Sequence, residues 1–185
     1  GPPWVTGKKN FSVVGSNEVA ISVTNSCQWA LHLLNFCRKT EDVIHSQLGA
    51  LEDIVSSDRH LFYLAADHKN YAGIYCRLEK QPSTSSKKPL IQPKIPPTFN
   101  ESIISEPQHL TFQTESGKQA HGIYYGPKNH QFELSKGVLP PLLINVHGGP
   151  TGTAQTALNP MHQFWTSRGF AVFDLNHRGS TGYGR

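Results

Sequence analysis

The sequence lacks any apolar run near the roughly 18 residues that a membrane-crossing helix needs, so no ordinary transmembrane segment is expected. Cysteine is scarce. Cys27, Cys37 and Cys76 are odd in number and have no paired short spacing, which argues against a disulfide framework and against a zinc ribbon. Reduced thiols suit a cytoplasmic protein. The opening Gly1-Pro2-Pro3-Trp4 likewise leads into no charged segment and apolar core of a signal peptide. Charge is thin at 16%, and the net +4 comes from the second half, with Lys87, Lys88 and Lys94 in one Pro/Ser stretch. So diffuse an excess predicts neither a nucleic-acid partner nor a membrane surface. The 10 histidines form no His-x-x-x-His or His-Glu-x-x-His pair on a plausible helix, so no metal site and no cofactor are expected.

Turn formers are abundant. With 16 glycines and 13 prolines among 185 residues, and 37% hydrophobic residues to build a core, the composition favours many short strands over a helix bundle. Before residue 80, β-like runs recur at 11–14, 19–23, 30–34, 61–65 and 73–77. A shift of 42 residues lays Val19–Val23 on Leu61–Ala65, Trp29 on Tyr71 and Ala30–Leu34 on Ala72–Cys76. Repeats of this length, built from hairpins, are what β-propeller blades give, because one blade cannot bury both its faces. Two unrelated hairpins of another β fold remain the alternative. Residues 81–97, QPSTSSKKPLIQPKIPP, read as a semi-extended linker rather than a packed element.

After the linker the pattern changes. Strands at 109–114 and 120–125 form an expected hairpin, and Pro141–Val146 is a continuous apolar run of the kind buried in a parallel sheet. Asn159-Pro160 is a helix start, Met161, Phe164 and Trp165 are expected as its core stripe, and Gly169 is its stop. Phe170–Asn176 reads as a second buried strand. Strand, glycine loop, helix, strand, glycine loop is a βαβ unit, so the fold class is α/β plus β.

Ligands of open α/β sheets sit beyond the carboxyl ends of the strands, where this chain carries HGGPTG at 147–152 and HRGSTGYGR at 177–185. Glycines let a backbone approach a substrate and turn its N–H groups inward, as an oxyanion hole requires. Asp174 is expected to be a strand-end carboxylate that bonds loop N–H groups or Arg178, rather than a catalytic acid. Arg178 is a loop anchor or a weak substrate contact.

These segments, PPLLINVHGGPTG and FWTSRGFAVFDLNHRGSTGYGR above all, resemble the prolyl oligopeptidase (S9) serine peptidases, most closely their acylaminoacyl-peptidase-like branch. The resemblance implies the C-terminal blades of a β-propeller over 1–80, the linker 81–97, and the N-terminal strands of an incomplete α/β-hydrolase domain over 98–185. It implies hydrolysis of peptide or acyl-peptide substrates by a Ser, Asp, His triad, in a parent that can be homo-oligomeric. It carries oxyanion-hole roles onto Gly149 first and Gly148 second. His147 either lends its side chain or shapes the loop.

One departure limits this reading: no Gly-x-Ser-x-Gly occurs in the 185 residues. The triad is expected beyond this chain, which alone would have no turnover. A non-catalytic pseudoenzyme or interaction module, and an esterase on the same framework, stay open as alternatives.

Overall fold

A computed structural model of the chain describes residues 7–78, 82, 87–96, 99, 101–115, 117–149 and 152–183. Seven antiparallel strands build the first region: β1 (Phe11–Gly15), β2 (Glu18–Asn25), β3 (Gln28–Asn35), β4 (Thr40–Leu48), β5 (Ala50–Ser57), β6 (His60–Ala66) and β7 (Gly73–Leu78). They form two meanders, β1-β2-β3-β4 and β5-β6-β7. The 42-residue shift lays β1 on β5, β2 on β6 and β3 on β7, as the repeat predicts. It fails at Trp29 and Tyr71. Trp29 is buried inside β3, whereas Tyr71 lies in the connection before β7. A two-residue turn, Ser26-Cys27 with φ of 49° and 61°, closes the β2–β3 hairpin, but the corresponding link after β6 is longer and is held by Asp67 Oδ1 accepting from the Lys69 and Asn70 amides.

Strands β4 and β5 were not legible. Most of β4 is exposed, with Ile44 and Leu48 its buried apolar residues, and Gln47 at φ 60° breaks its alternation. In β5, Asp53 at φ 53° accompanies a register shift between Glu52 and Val55. Strands β1 and β5 meet side by side, with Ser12 Oγ 2.8 Å from Ser56 Oγ and the Ile54 amide donating to Lys9 O.

Leu90 and Ile91, within the proline-rich segment, pair with β7. The Ile74 amide donates to Ile91 O at 2.8 Å and Leu90 N donates to Ile74 O at 2.7 Å, so this stretch docks along the outer edge of β7.

The second region holds β8 (Gln108–Gln113), β9 (Gln119–Tyr125), β10 (Leu142–Val146), α1 (Pro160–Thr166) and β11 (Ala171–Asn176), in sheet order β10-β11-β9-β8. Strands β10 and β11 are parallel and the other pairs are antiparallel. The cap is as expected: Asn159 Oδ1 accepts from the Met161 amide at 2.9 Å.

Among the described residues β10 pairs on one side only, with β11, and Leu142, Ile144 and Val146 are 50–60% exposed. One expectation fails in part. On α1, Met161 and Phe164 face outward while His162, Gln163 and Thr166 are buried. Hydrogen bonds explain the inversion, since Gln163 Oε1 accepts from the Ser105 amide at 2.7 Å and the Thr166 hydroxyl donates to His162 O. Arg168 covers Phe164 from the solvent side, 3.8 Å from the ring centroid.

The two regions share one apolar core. Leu31, Ile54, Ile123, Tyr125 and Val172 belong to the same buried cluster. Backbone bonds join them as well: Thr156 N to Gly49 O, Leu158 N to Asp67 O, and Ser26 N to Gly182 O. At Gly49 the approach is so close that a Cβ would stand 2.4 Å from Ala157 N. Among the described residues no helix is long and apolar enough to cross a membrane.

Candidate functional site

Because β10 and β11 run parallel in the register Val146 to Leu175, both strands release their chains at the same end of the sheet. The loops 147–152 and 177–183 therefore lie side by side. Three links join them. His147 Nε2 is 2.8 Å from Ser180 Oγ, the Thr181 amide donates to Gly152 O at 2.7 Å, and Asn176 Oδ1 accepts from the Ala154 amide at 2.9 Å. The His147 ring also stacks on His177 with centroids 4.4 Å apart.

Gly148 and Gly149 are exposed and sit at the mouth of this arrangement. A Cβ on either would meet nothing within 4 Å. A side chain at Gly149 would therefore fit without displacing the backbone. Gly152 is the tight position, since its Cβ would be 2.9 Å from His147 Nδ1 and 3.1 Å from Gly148 O. Nδ1 itself is 2.9 Å from Gly148 O, so the His147 ring is seated between the Gly148 carbonyl and the Ser180 hydroxyl.

Arg178 is exposed, and its backbone oxygen lies 3.0 Å from His177 Nδ1. Asp174 does not bond it. That side chain points under α1, where Oδ1 accepts from Asn145 Nδ2 at 2.9 Å and lies 3.4 Å from His162 Nε2. The expectation for Asp174 placed it one turn of the pleat too far toward the loop: in β11 it alternates with Phe173 and Leu175 and faces the helix. Burial pushes the His162 imidazole down, against the pull of the Asp174 carboxylate, which favours a neutral ring. A recess of about 360 Å³ opens beside His147 and is lined also by Asn145, Thr153, Asn159, His162 and Asp174. A larger hollow of about 1120 Å³, lined by Phe132, Phe164 and Arg168 among others, lies at the far end of α1, away from the glycine loops. No group of three or more metal-ligating side chains is found among the described residues.

Ser180, Gly152 and Asn176 were not singled out by the sequence reading. All three stand in or beside the glycine loops, so the motif held their positions but not their partners.

No protein-family profile matches the chain. The chain is 33% identical over 85 residues to the uncharacterized peptidase YuxL of Bacillus subtilis, a match that spans 46% of this chain and 12% of the relative. In structure it is similar over its whole length to a puromycin-hydrolyzing peptidase of Mycobacterium tuberculosis, with a TM-score of 0.83 and 25% identity, covering 28% of that chain. The chain is similar in sequence and fold to prolyl oligopeptidase (S9) peptidases. Its fold is also similar to that of the Pyrococcus horikoshii acylaminoacyl peptidase, at a TM-score of 0.64 and 21% identity over 90% of this chain and 24% of that one. The mostly-β first region matches the β-propeller-type structure of these peptidases. The chain spans about an eighth of the curated relative's length and just over a quarter of the mycobacterial peptidase.

Proposed function

We propose that this chain supplies part of a serine peptidase that hydrolyses peptide or acyl-peptide bonds. In this reading residues 1–80 are the last propeller blades, 81–97 the connection, and 98–185 the opening strands of an α/β-hydrolase domain. The Ser, Asp, His triad lies outside these 185 residues. The β8-β9-β11-β10 order and the paired glycine loops at one end of the sheet support it.

One observation carries the reading. The imidazole of His147, with its hydrogen on Nδ1, donates to Gly148 O at 2.9 Å. In a trans peptide the carbonyl and the following N–H point in opposite directions. Fixing Gly148 O on the ring therefore turns the Gly149 N–H away from it, which leaves that N–H free of the ring as an oxyanion donor would need to be. On the other side Nε2 lies 2.8 Å from Ser180 Oγ, whose single hydrogen is shared between Nε2 and His177 O, 2.6 Å away. Gly149, then Gly148, are the donors, His147 orients the loop, and Arg178 on the neighbouring loop is a substrate contact. Free thiols at Cys27, Cys37 and Cys76 are compatible with a cytoplasmic setting.

The full-length protein should hydrolyse a chromogenic acyl-peptide and be inactivated by a fluorophosphonate, with covalent labelling of a serine. Absence of both hydrolysis and labelling in a folded preparation contradicts the proposal and favours a binding module.

A further inference from the structure

The first region reaches into the glycine loops at one point, the β2–β3 turn. Cys27, at the tip of that turn, is fully buried. Its sulfur is 3.0 Å from Asn176 Nδ2, 3.1 Å from Thr153 Oγ1 and 3.2 Å from the Tyr183 hydroxyl. Thr153 follows the loop 147–152, Asn176 ends β11, and Tyr183 belongs to the second loop. The sulfur thus meets all three.

Every hydrogen in this group has a place. The Ala154 amide and the Thr153 hydroxyl donate to Asn176 Oδ1, at 2.9 and 3.3 Å. Asn176 Nδ2 donates to the sulfur and, at 3.2 Å, to the Tyr183 oxygen. The Tyr183 hydroxyl donates to the sulfur, and the thiol hydrogen goes to Thr153 Oγ1. Burial, and next the bond to Cys27, push the Tyr183 phenol up, so it stays a neutral donor. The Tyr183 ring is itself fixed by stacking on His121 at 4.1 Å between centroids. The Ser26 amide, next to Cys27, adds a 3.0 Å bond to Gly182 O.

We propose that Cys27 is a positioning residue: acting through Asn176 and Thr153, it lets the first region hold the glycine loop 147–154 in register with the loop 177–183. Networks of this kind are worth keeping whole, because a buried polar group left without its partner costs more than the bond alone supplies. Without the thiol, Asn176 Nδ2 loses an acceptor and Thr153 a donor, and the anchor on the Ala154 amide loosens. The bearing of this device on catalysis rests on the reading of the loop as an oxyanion site. The positioning itself does not.

Two variants separate the cases. Cys27→Ala keeps an unbranched Cβ, so the backbone cost at φ 61° is unchanged while the network is cut. Cys27→Ser restores one donor and one acceptor. Site-resolved amide hydrogen exchange should show the Ala154 and Thr181 amides exchanging about tenfold faster in Cys27→Ala and within about threefold of wild type in Cys27→Ser. The β9–β11 ladder amides should be unchanged in both. No acceleration at Ala154 and Thr181, or an equal acceleration spread through the β9–β11 ladder, overturns the proposal. Turnover of the same variants reports separately on the oxyanion reading, which fails if the wild-type protein hydrolyses nothing, whatever the exchange result.

Discussion

The two regions of the molecule both bury a core and differ in where apolar residues stay exposed: the first at Phe11, Val13 and Phe36, the second along its parallel edge strand and its helix. The meanders β1–β4 and β5–β7 turn Leu31, Ile54, Leu61 and Tyr63 inward to near-complete burial. The parallel pair in the second region leaves Leu142, Ile144 and Val146 on an edge strand and Met161 and Phe164 on the outer side of its helix. Antiparallel hairpins satisfy their hydrogen bonds with sequence neighbours, so they close on themselves. A parallel pair needs a crossover and covering layers on both faces. The glycine loops lie in this region, and the first region braces them through the Ser26-Cys27 turn while Gly49 and Asp67 hold Thr156 and Leu158 of the segment before α1.

That comparison is broken most severely at Gly49. Gly49→Val places side-chain atoms where Ala157 N already stands, a clash with backbone that no rotamer relieves, and should cost about 4 kcal/mol or more. Urea unfolding of the variant would measure it, and an unchanged midpoint would mean that the regions are not joined there. Next come matched truncations of the two cores. Leu31→Ala should destabilise by about 3 kcal/mol, as expected for a fully buried leucine, and Ile144→Ala by less than about 1 kcal/mol, since that side chain is 60% exposed. Equal losses would erase the contrast between the regions.

A smaller effect is set by pH and belongs to the first region alone. His45 lies edge-on to Tyr63 and Tyr75, with Nδ1 3.1 Å from the Tyr63 hydroxyl. Burial above all, with the positive charge of Lys87 adding to it and Asp67 opposing, pushes its pKa down to about 4. Between about pH 6.5 and 4 the unfolded chain binds a proton there that the folded chain does not. Stability must therefore fall as pH drops through that window. The loss, discounted for the ring's partial exposure, should be about 1 kcal/mol. His45→Phe should flatten this part of a urea-midpoint profile; an unaltered slope would place the titration elsewhere.

Much of this architecture was legible because period and punctuation agreed. The runs at 19–23, 30–34 and 61–65 alternate or are bounded by turns, and the 42-residue shift finds equivalent strands. Strand β4 was invisible because it offers almost no buried face, and β5 because a residue at positive φ interrupts it. Of the stripe expected on α1, Trp165 packs against the core while Met161 and Phe164 face outward. Helical spacing located Met161, Phe164 and Trp165 correctly, but periodicity cannot reveal that Gln163 has the Ser105 amide to bond and that His162 lies beside Asp174. At the site, HGGPTG and HRGSTGYGR gave the loops and their end of the sheet. The bond from His147 to Ser180 and the reach of Cys27 to Asn176 span 33 and 149 residues, and no local pattern encodes them.

In the proposed function the His147 side chain orients the Gly149 N–H as an oxyanion donor. Steady-state kinetics of His147→Ala in the full-length protein, on a chromogenic acyl-peptide, would show whether it does. Loss of one such donor lowers kcat by about 10²–10³, and KM should stay within about threefold because the donor acts in the transition state. A folded His147→Ala protein with near-normal kcat would contradict the claim.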